Sequence, residues 1–418
     1  MSMVKCMNQW IQKNMIKIIS CFLILGPIFD LITSLSLNLF HVNMSIIMII
    51  KVLFMLLLMY YILVIYNQKN KKKIIFYGIL LGIYFLIYIF LIAINKSVNA
   101  LSYEIPYLFR TYFFSITLLG IYSVYQKEQI KISNKILVIS LLEYLVLLLL
   151  PFLTKTGFDS YAYSKVGSIG WFNSTNEIGG ILSILFPLFL SYFWSTNKKV
   201  IPIYLLIYFY IIFSIGSKVP VLTTFFTLLL FLCFYLKNNP KKIKLFILPF
   251  LFILSFGIYL FPKTNFYKNI QIHLAFLEIH SVNDLMTIEN IDHFIFSSRL
   301  KFLNQTRINY QKSNLASHLF GIGYIENYGT DEINLKTIEM DYFDIFYRNG
   351  MIGFILFLLP LIWILCKNKG EKVEKYALFL ALFLAFFQGH ILTAPSVSIY
   401  VIIILLNGGK YEKLCCNN

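Results

Sequence analysis

The residues best suited to chemistry gather where the chain enters its last long apolar stretch. Glu339, Asp341, Asp344 and Arg348 follow one another there, and Arg299 and Arg307 precede them in a polar segment. Carboxylates can take a proton from a reacting hydroxyl, and guanidiniums present paired donors that match phosphate oxygens. On a helix, Asp341, Asp344 and Arg348 share one face by i, i+3 and i+4 spacing. Lys218, which opens another apolar run, adds a cation. Cations beside carboxylates suit an anionic lipid headgroup with a proton acceptor next to it. The same groups would equally make an interfacial salt-bridge network. Further ionisable groups lie within apolar runs: Asp30, Lys51, Arg110, Glu143, Glu177 and His390. Each is a site candidate, because a charge in lipid is costly unless paired or wetted. Lys51 and Glu143 read as well as internal partners that hold helices together, and a proton or ion pathway is a further generic reading.

The elements that carry these groups are membrane helices. The chain is 59% hydrophobic and only 13% charged, whereas a soluble domain carries about one quarter charged residues. Its apolar surplus must face lipid, and 29 Tyr and 41 Phe fit helices with interfacial rings. A crossing needs about 20 apolar residues. Such runs lie near residues 16–37, 44–66, 73–94, 104–125, 134–153, 175–195, 199–216, 219–237, 243–262, 342–366, 374–391 and 394–409. The expected fold is therefore an all-α polytopic bundle of about twelve transmembrane helices, forming one membrane domain over residues 1–418.

Charge placement gives the expected sidedness. The net charge of +17 would suggest nucleic acid in a soluble protein, but here it follows from basic cytoplasmic loops. Lysines such as Lys5, Lys13, Lys71 to Lys73, Lys127, Lys241, Lys367 and Lys410 crowd every second connection, while the short alternate ones hold only Lys96, Lys155, Lys165 and the boundary residue Lys218. With both termini inside, residues 263–341 form one large extracytoplasmic loop between spans 9 and 10. A connection this long is usually functional. Its apolar stretches near 269–279 and 292–304 suit helices lying on the membrane. No cleavage site follows the first apolar run, which reads as a span. None of the six cysteines falls in the long loop, and their spacing suits neither a disulfide scaffold nor a metal.

Several segments resemble one family. Gly170-Trp171-Phe172-Asn173-Ser174-Thr175-Asn176-Glu177-Ile178-Gly179 leads into a span. Gly216-Ser217-Lys218 opens another. Ser298-Arg299-Leu300 precedes Phe320-Gly321-Ile322-Gly323-Tyr324, and Glu339-Met340 is followed after nine residues by Gly350-Met351-Ile352-Gly353. In order and topology these are similar to the O-antigen polymerase/ligase superfamily, over most of residues 167–395. Gly389-His390 resembles Gram-positive relatives. Where the ligase signature carries His, this chain has Glu339 and then Asp341.

The resemblance implies an enzyme of surface-polysaccharide biosynthesis at the outer face of a bacterial plasma membrane. An acceptor hydroxyl would attack the anomeric carbon of an oligosaccharide carried on undecaprenyl pyrophosphate, inverting it without a metal or cofactor. It implies Glu339 or Asp341 as the catalytic carboxylate, with His318 and His273 as loop histidines that could substitute. Arg299 leads the candidates for pyrophosphate, with Lys218, Arg307, Arg110 and Arg348. Asn176 and His390 join them as substrate-binding candidates, and Trp171, Tyr324, Tyr342 and Phe343 could stack on sugars. A polymerase of capsular or other surface polysaccharide is favoured over a ligase that delivers the glycan to another acceptor. A flippase and a chain-length regulator are the expected protein partners. A transporter would be the rival class, but it predicts two pseudo-repeated halves, which the sequence does not display.

Overall fold

The computed structural model describes residues 2–40, 46–96, 98–160, 166–238, 261–279, 284, 286–326, 334–335, 337–367 and 370–409. Helix dominates. The elements are α1 (Ser2–Phe40), α2 (Ile46–Tyr60, ending in a π turn over Tyr61–Ile65), α3 (Lys71–Asn95), α4 (Leu101–Glu128), α5 (Asn134–Thr154), α6 (Thr175–Thr196) and α7 (Ile201–Ile215). There follow α8 (Lys218–Asn238), α9 (Asn265–Phe276), α10 (Arg299–Lys312), α11 (Leu315–Phe320), α12 (Asp341–Leu365), α13 (Lys372–Phe387) and α14 (Pro395–Asn407). Ile325–Glu326 and Asn334–Leu335 make one two-residue antiparallel ladder.

Every apolar run predicted from sequence coincides with helix where it is described; the run at 243–262 lies outside the described residues. By length and composition, 7 helices among the described residues can cross a membrane: residues 4–40, 48–65, 71–95, 134–154, 175–196, 198–215 and 341–365. Lys218–Phe234 and Pro395–Asn407 are shorter apolar helices. The chain is thus a multi-pass helical membrane protein. The segment predicted as one long loop is helical over much of its described length, through α9, a turn at Ile288–Ile291, α10 and α11.

Local chemistry sets several boundaries. Ser174 accepts the Glu177 amide at the start of α6, and a reciprocal Glu371–Glu374 capping box opens α13. Pro395 stands at the start of α14, where its missing N–H costs nothing.

The chain forms two compact units. The first comprises Met1–Gly26, Met44–Ile136 and Ile295–Asn418; the second comprises Pro27–Asn43 and Leu137–Phe294. In the first, α4 is the central element, packed against α2, α3, α12 and α14. Its residues Thr111 to Tyr125 are almost all buried. In the second, α6 packs on α7 and α8, and α9 lies against α7.

Candidate active site

Within the first unit, α12 is broken at Gly350, whose φ of 70° and ψ of 178° leave the helical region. A break in a membrane helix frees carbonyls that lipid cannot satisfy. Here the Phe320–Tyr324 segment supplies the donors. Ile322 N–H reaches the Tyr347 carbonyl and Gly323 N–H the Arg348 carbonyl, both at 3.1 Å. Tyr84 Oη donates to the Asn349 carbonyl at 2.8 Å, and Tyr112 Oη to that of Gly353 at 2.9 Å. A Cβ on Gly321 would fall 2.1 Å from the Arg348 carbonyl oxygen, and one on Gly353 would fall 2.4 Å from Tyr84 Oη. The Gly350–Gly353 signature therefore serves close backbone packing.

The break sets the orientation of the α12 N-terminus, where three charged residues on one face reach three different places. Asp341, 1% exposed, ties down the turn between α13 and α14. Its Oδ1 accepts from His390 N–H (2.8 Å) and Thr393 Oγ1 (2.7 Å). Its Oδ2 accepts from Ile391 N–H (2.8 Å) and Leu392 N–H (2.6 Å). Asp344 turns back onto the amides of Ile338 and Met340. Arg348 is fully buried and donates to the Gly323 carbonyl at 3.2 Å and to Thr306 Oγ1 at 3.3 Å, joining the loop and α10 to α12.

Glu339 stands two residues before α12 in the left-handed region, at φ 59°. Gly389 allows this: a Cβ there would lie 2.7 Å from the Glu339 Cα. The Glu339 side chain is 43% exposed, and its Oε2 accepts from Arg299 Nη2 at 3.0 Å. Arg299 begins α10, gives Nη1 to the Phe387 carbonyl at 3.1 Å, and keeps a buried Nε–H without a partner among the described residues. A guanidinium donor left over beside a half-exposed carboxylate is suited to an arriving anion.

His390, also left-handed at φ 69°, sits in the turn outside both helices. Arg110 of α4 approaches its Nδ1 with Nη2 at 3.2 Å. A guanidinium only donates, so Nδ1 accepts and the neutral ring carries its proton on Nε2. Burial, then the Arg110 charge, hold this imidazole below its usual pKa; Glu339 opposes them and Arg299 adds to them. Arg110, His390, Glu339 and Arg299 thus form one electrostatically connected group, with Asp341 fixing the backbone beneath His390.

The other predicted residues lie elsewhere. Arg307 is exposed on α10, about 12 Å along the helix from Arg299. Lys218 and Asn176 belong to the second unit. Lys218 donates to the Phe294 carbonyl, lies 4.2 Å from the Phe294 ring centroid and approaches His273 Nδ1 at 3.3 Å. Asn269, on the same α9, bonds the Val166 and Gly216 carbonyls, clasping the two motif segments of that unit. His318 Nε2 faces the Tyr310 carbonyl at 2.7 Å. Tyr324 is buried, its hydroxyl shared with Thr111 and Asn349. Lys51 meets Ser396 Oγ at 2.9 Å, and Asp30 accepts from Tyr144 Oη at 2.6 Å.

Sequence reasoning overlooked Glu104. Fully buried in the first turn of α4, it accepts from Lys96 Nζ (2.7 Å), Tyr88 Oη (2.8 Å) and the amides of Tyr324 and Ile325. It therefore anchors the end of the segment that clasps the α12 break. Its position as the first residue of an apolar run, eight residues after Lys96, was the available signal.

Comparison with known proteins gives the same direction. A family model described as O-antigen ligase like membrane protein matches residues 12–285 and 280–407. No curated protein and no solved structure matches. Because the match runs through both units and the whole Arg299–Glu339–His390 group, the chain belongs to the O-antigen ligase like membrane protein family.

Proposed function

We propose that this protein is a polysaccharide polymerase that joins oligosaccharide repeat units carried on undecaprenyl pyrophosphate. Membership of the family makes it a membrane glycan-processing protein of glycosyltransferase type, with lipid-linked glycan as substrate. The observation that carries the finer reading is the Arg299–Glu339 pair beside Arg110 and His390. One cluster offers anion donors, a proton acceptor and a neutral hydrogen-bond donor.

In this reading Arg299 takes the pyrophosphate of the donor through its free Nε–H and its terminal nitrogens, and Arg110 adds a second positive charge. As the guanidinium turns to phosphate, Glu339 is released to accept the proton of the acceptor hydroxyl. That oxygen bonds to the anomeric carbon, the bond from carbon to phosphate oxygen breaks, and undecaprenyl pyrophosphate leaves with the electron pair. Charge developing on the leaving group is met by preorganised donors, including the Nε2–H of His390. Asp341, saturated with four hydrogen bonds, is a positioning residue. The site faces outward from a bacterial plasma membrane, with both termini cytoplasmic, and a flippase would deliver its substrate.

Deletion followed by profiling of lipid-linked glycans tests the reading. Accumulated single repeat units support a polymerase. Complete but unattached polymer would make the protein a ligase, and units trapped in the cytoplasm would make it a flippase.

A further inference from the structure

The far end of α12 carries a second set of charged and polar groups that the reaction does not use. At 25 residues the helix is about 37 Å long, which separates this end from Asp341 by roughly a bilayer. Lys367, just beyond α12, lies 4.0 Å from the Trp363 ring centroid and donates to Tyr122 Oη at 3.2 Å. Asn70, before α3, donates to the same hydroxyl at 3.1 Å. Partial burial, then the charge of Lys73 on α3, hold the Lys367 ammonium below its usual range. Neither Lys73 nor Lys367 has a carboxylate partner among the described residues. The carboxylate of Glu128 accepts from Tyr61. Tyr66, electrostatically in touch with Tyr122, is fully buried, yet its hydroxyl has no partner among the described residues.

Two like charges held near each other repel, and an unpaired buried hydroxyl costs about 1–3 kcal/mol. An anion with several acceptor oxygens relieves both. The surroundings identify its source. Met351, Ile355, Leu359 and Ile362 are exposed on α12 and, at spacings of four, four and three, form one apolar stripe. The stripe runs along a span toward Lys367, as acyl chains would run from a headgroup, and Trp363 is the interfacial residue type.

We propose that Lys73 and Lys367, with the Tyr122 and Tyr66 hydroxyls, form a binding site for the phosphate of an anionic membrane lipid. The site is independent of the glycan chemistry. It uses the side of the bilayer where basic pockets between helices meet anionic headgroups.

The test is lipid retention by the full-length protein in phosphatidylcholine nanodiscs doped with phosphatidylglycerol, read by native mass spectrometry. The wild type should retain phosphatidylglycerol in excess of its share. Lys73→Gln/Lys367→Gln should lower that retention about thirtyfold, the equivalent of about 1 kcal/mol for each lysine. Lys69→Gln/Lys72→Gln, which removes the same charge from neighbouring exposed positions, should change it by less than about threefold. Equal losses in the two double variants would reduce the effect to general attraction and overturn the site. Retention no greater than the doping level in the wild type would overturn it as well. Competition by inorganic phosphate at millimolar concentration would show that a free anion, not a lipid, is the ligand.

Discussion

Asp341→Asn separates a positioning carboxylate from a reacting one. The native carboxylate accepts two hydrogen bonds on each oxygen. With the new amide nitrogen at Oδ2, the Ile391 and Leu392 N–H groups would both be stranded. With it at Oδ1, Thr393 can rotate to accept, and the His390 N–H alone is stranded. The second orientation is cheaper, and its cost follows directly. One buried N–H without a partner costs about 1–3 kcal/mol, and three bonds to a charged acceptor become bonds to neutral groups, for a total of about 3 kcal/mol. His390 is held at φ 69°, a conformation that itself costs about 1–2 kcal/mol, so the loosened turn relaxes there first. A displacement of about 1 Å at a reacting centre costs about a hundredfold in rate. Asp341→Asn should therefore lose about a hundredfold in turnover of lipid-linked repeat units in proteoliposomes, together with about 3 kcal/mol of stability in chemical unfolding. Wild-type rate and stability would refute the argument. Complete loss of turnover at unchanged stability would make Asp341 the proton acceptor itself.

Glu339→Gln still accepts a hydrogen bond from Arg299, so affinity for the lipid-linked donor should stay within about twofold while turnover drops by about 10²–10⁴; a matching loss of affinity would count against the base role. Gly389→Ala drives a methyl group to 2.7 Å from the Glu339 Cα, backbone that cannot yield cheaply, and should cut turnover at least about tenfold; an unaffected rate would show that the two segments are not so close. The depressed pKa of His390 makes the unfolded chain take up a proton as the pH falls through its ordinary value of 6.5, while the folded protein does not. Stability should therefore decline as the pH drops below about 6.5, and His390→Gln should flatten that slope in denaturant titrations; an unchanged slope would place the titration elsewhere.

Much of the architecture was legible because lipid imposes long apolar runs, and these runs became helices within a few residues of their predicted ends. The residues of the candidate site were legible as types: arginines and a Glu-x-Asp pair stand out in a chain so poor in charge. Their pairing was not. Arg299 meets Glu339 from 40 positions away in sequence, and Arg110 meets His390 across most of the chain; only tertiary packing sets such contacts. The i, i+3, i+4 face of Asp341, Asp344 and Arg348 was read correctly as geometry, but three separate loops converge there, so the three groups have three partners. The role of Gly350 was hidden for a related reason. It depends on a left-handed break that the Phe320–Tyr324 segment must fill, and neither piece announces the other.

That interlock determines which parts of the molecule can be exchanged. The carbonyls of Tyr347, Arg348 and Asn349 depend on donors from the Phe320–Tyr324 segment and α3, and Arg348 answers by holding Gly323. A chimera that imports another relative's segment before α12 to change the glycan it handles inherits a broken span without its own filler. The transferable cassette must carry the segment from Ser298 to Gly353 intact, together with Tyr84, Glu104 and Tyr112. Its natural seam lies beyond Gly353, in regular helix, where a cut leaves no backbone group open to lipid.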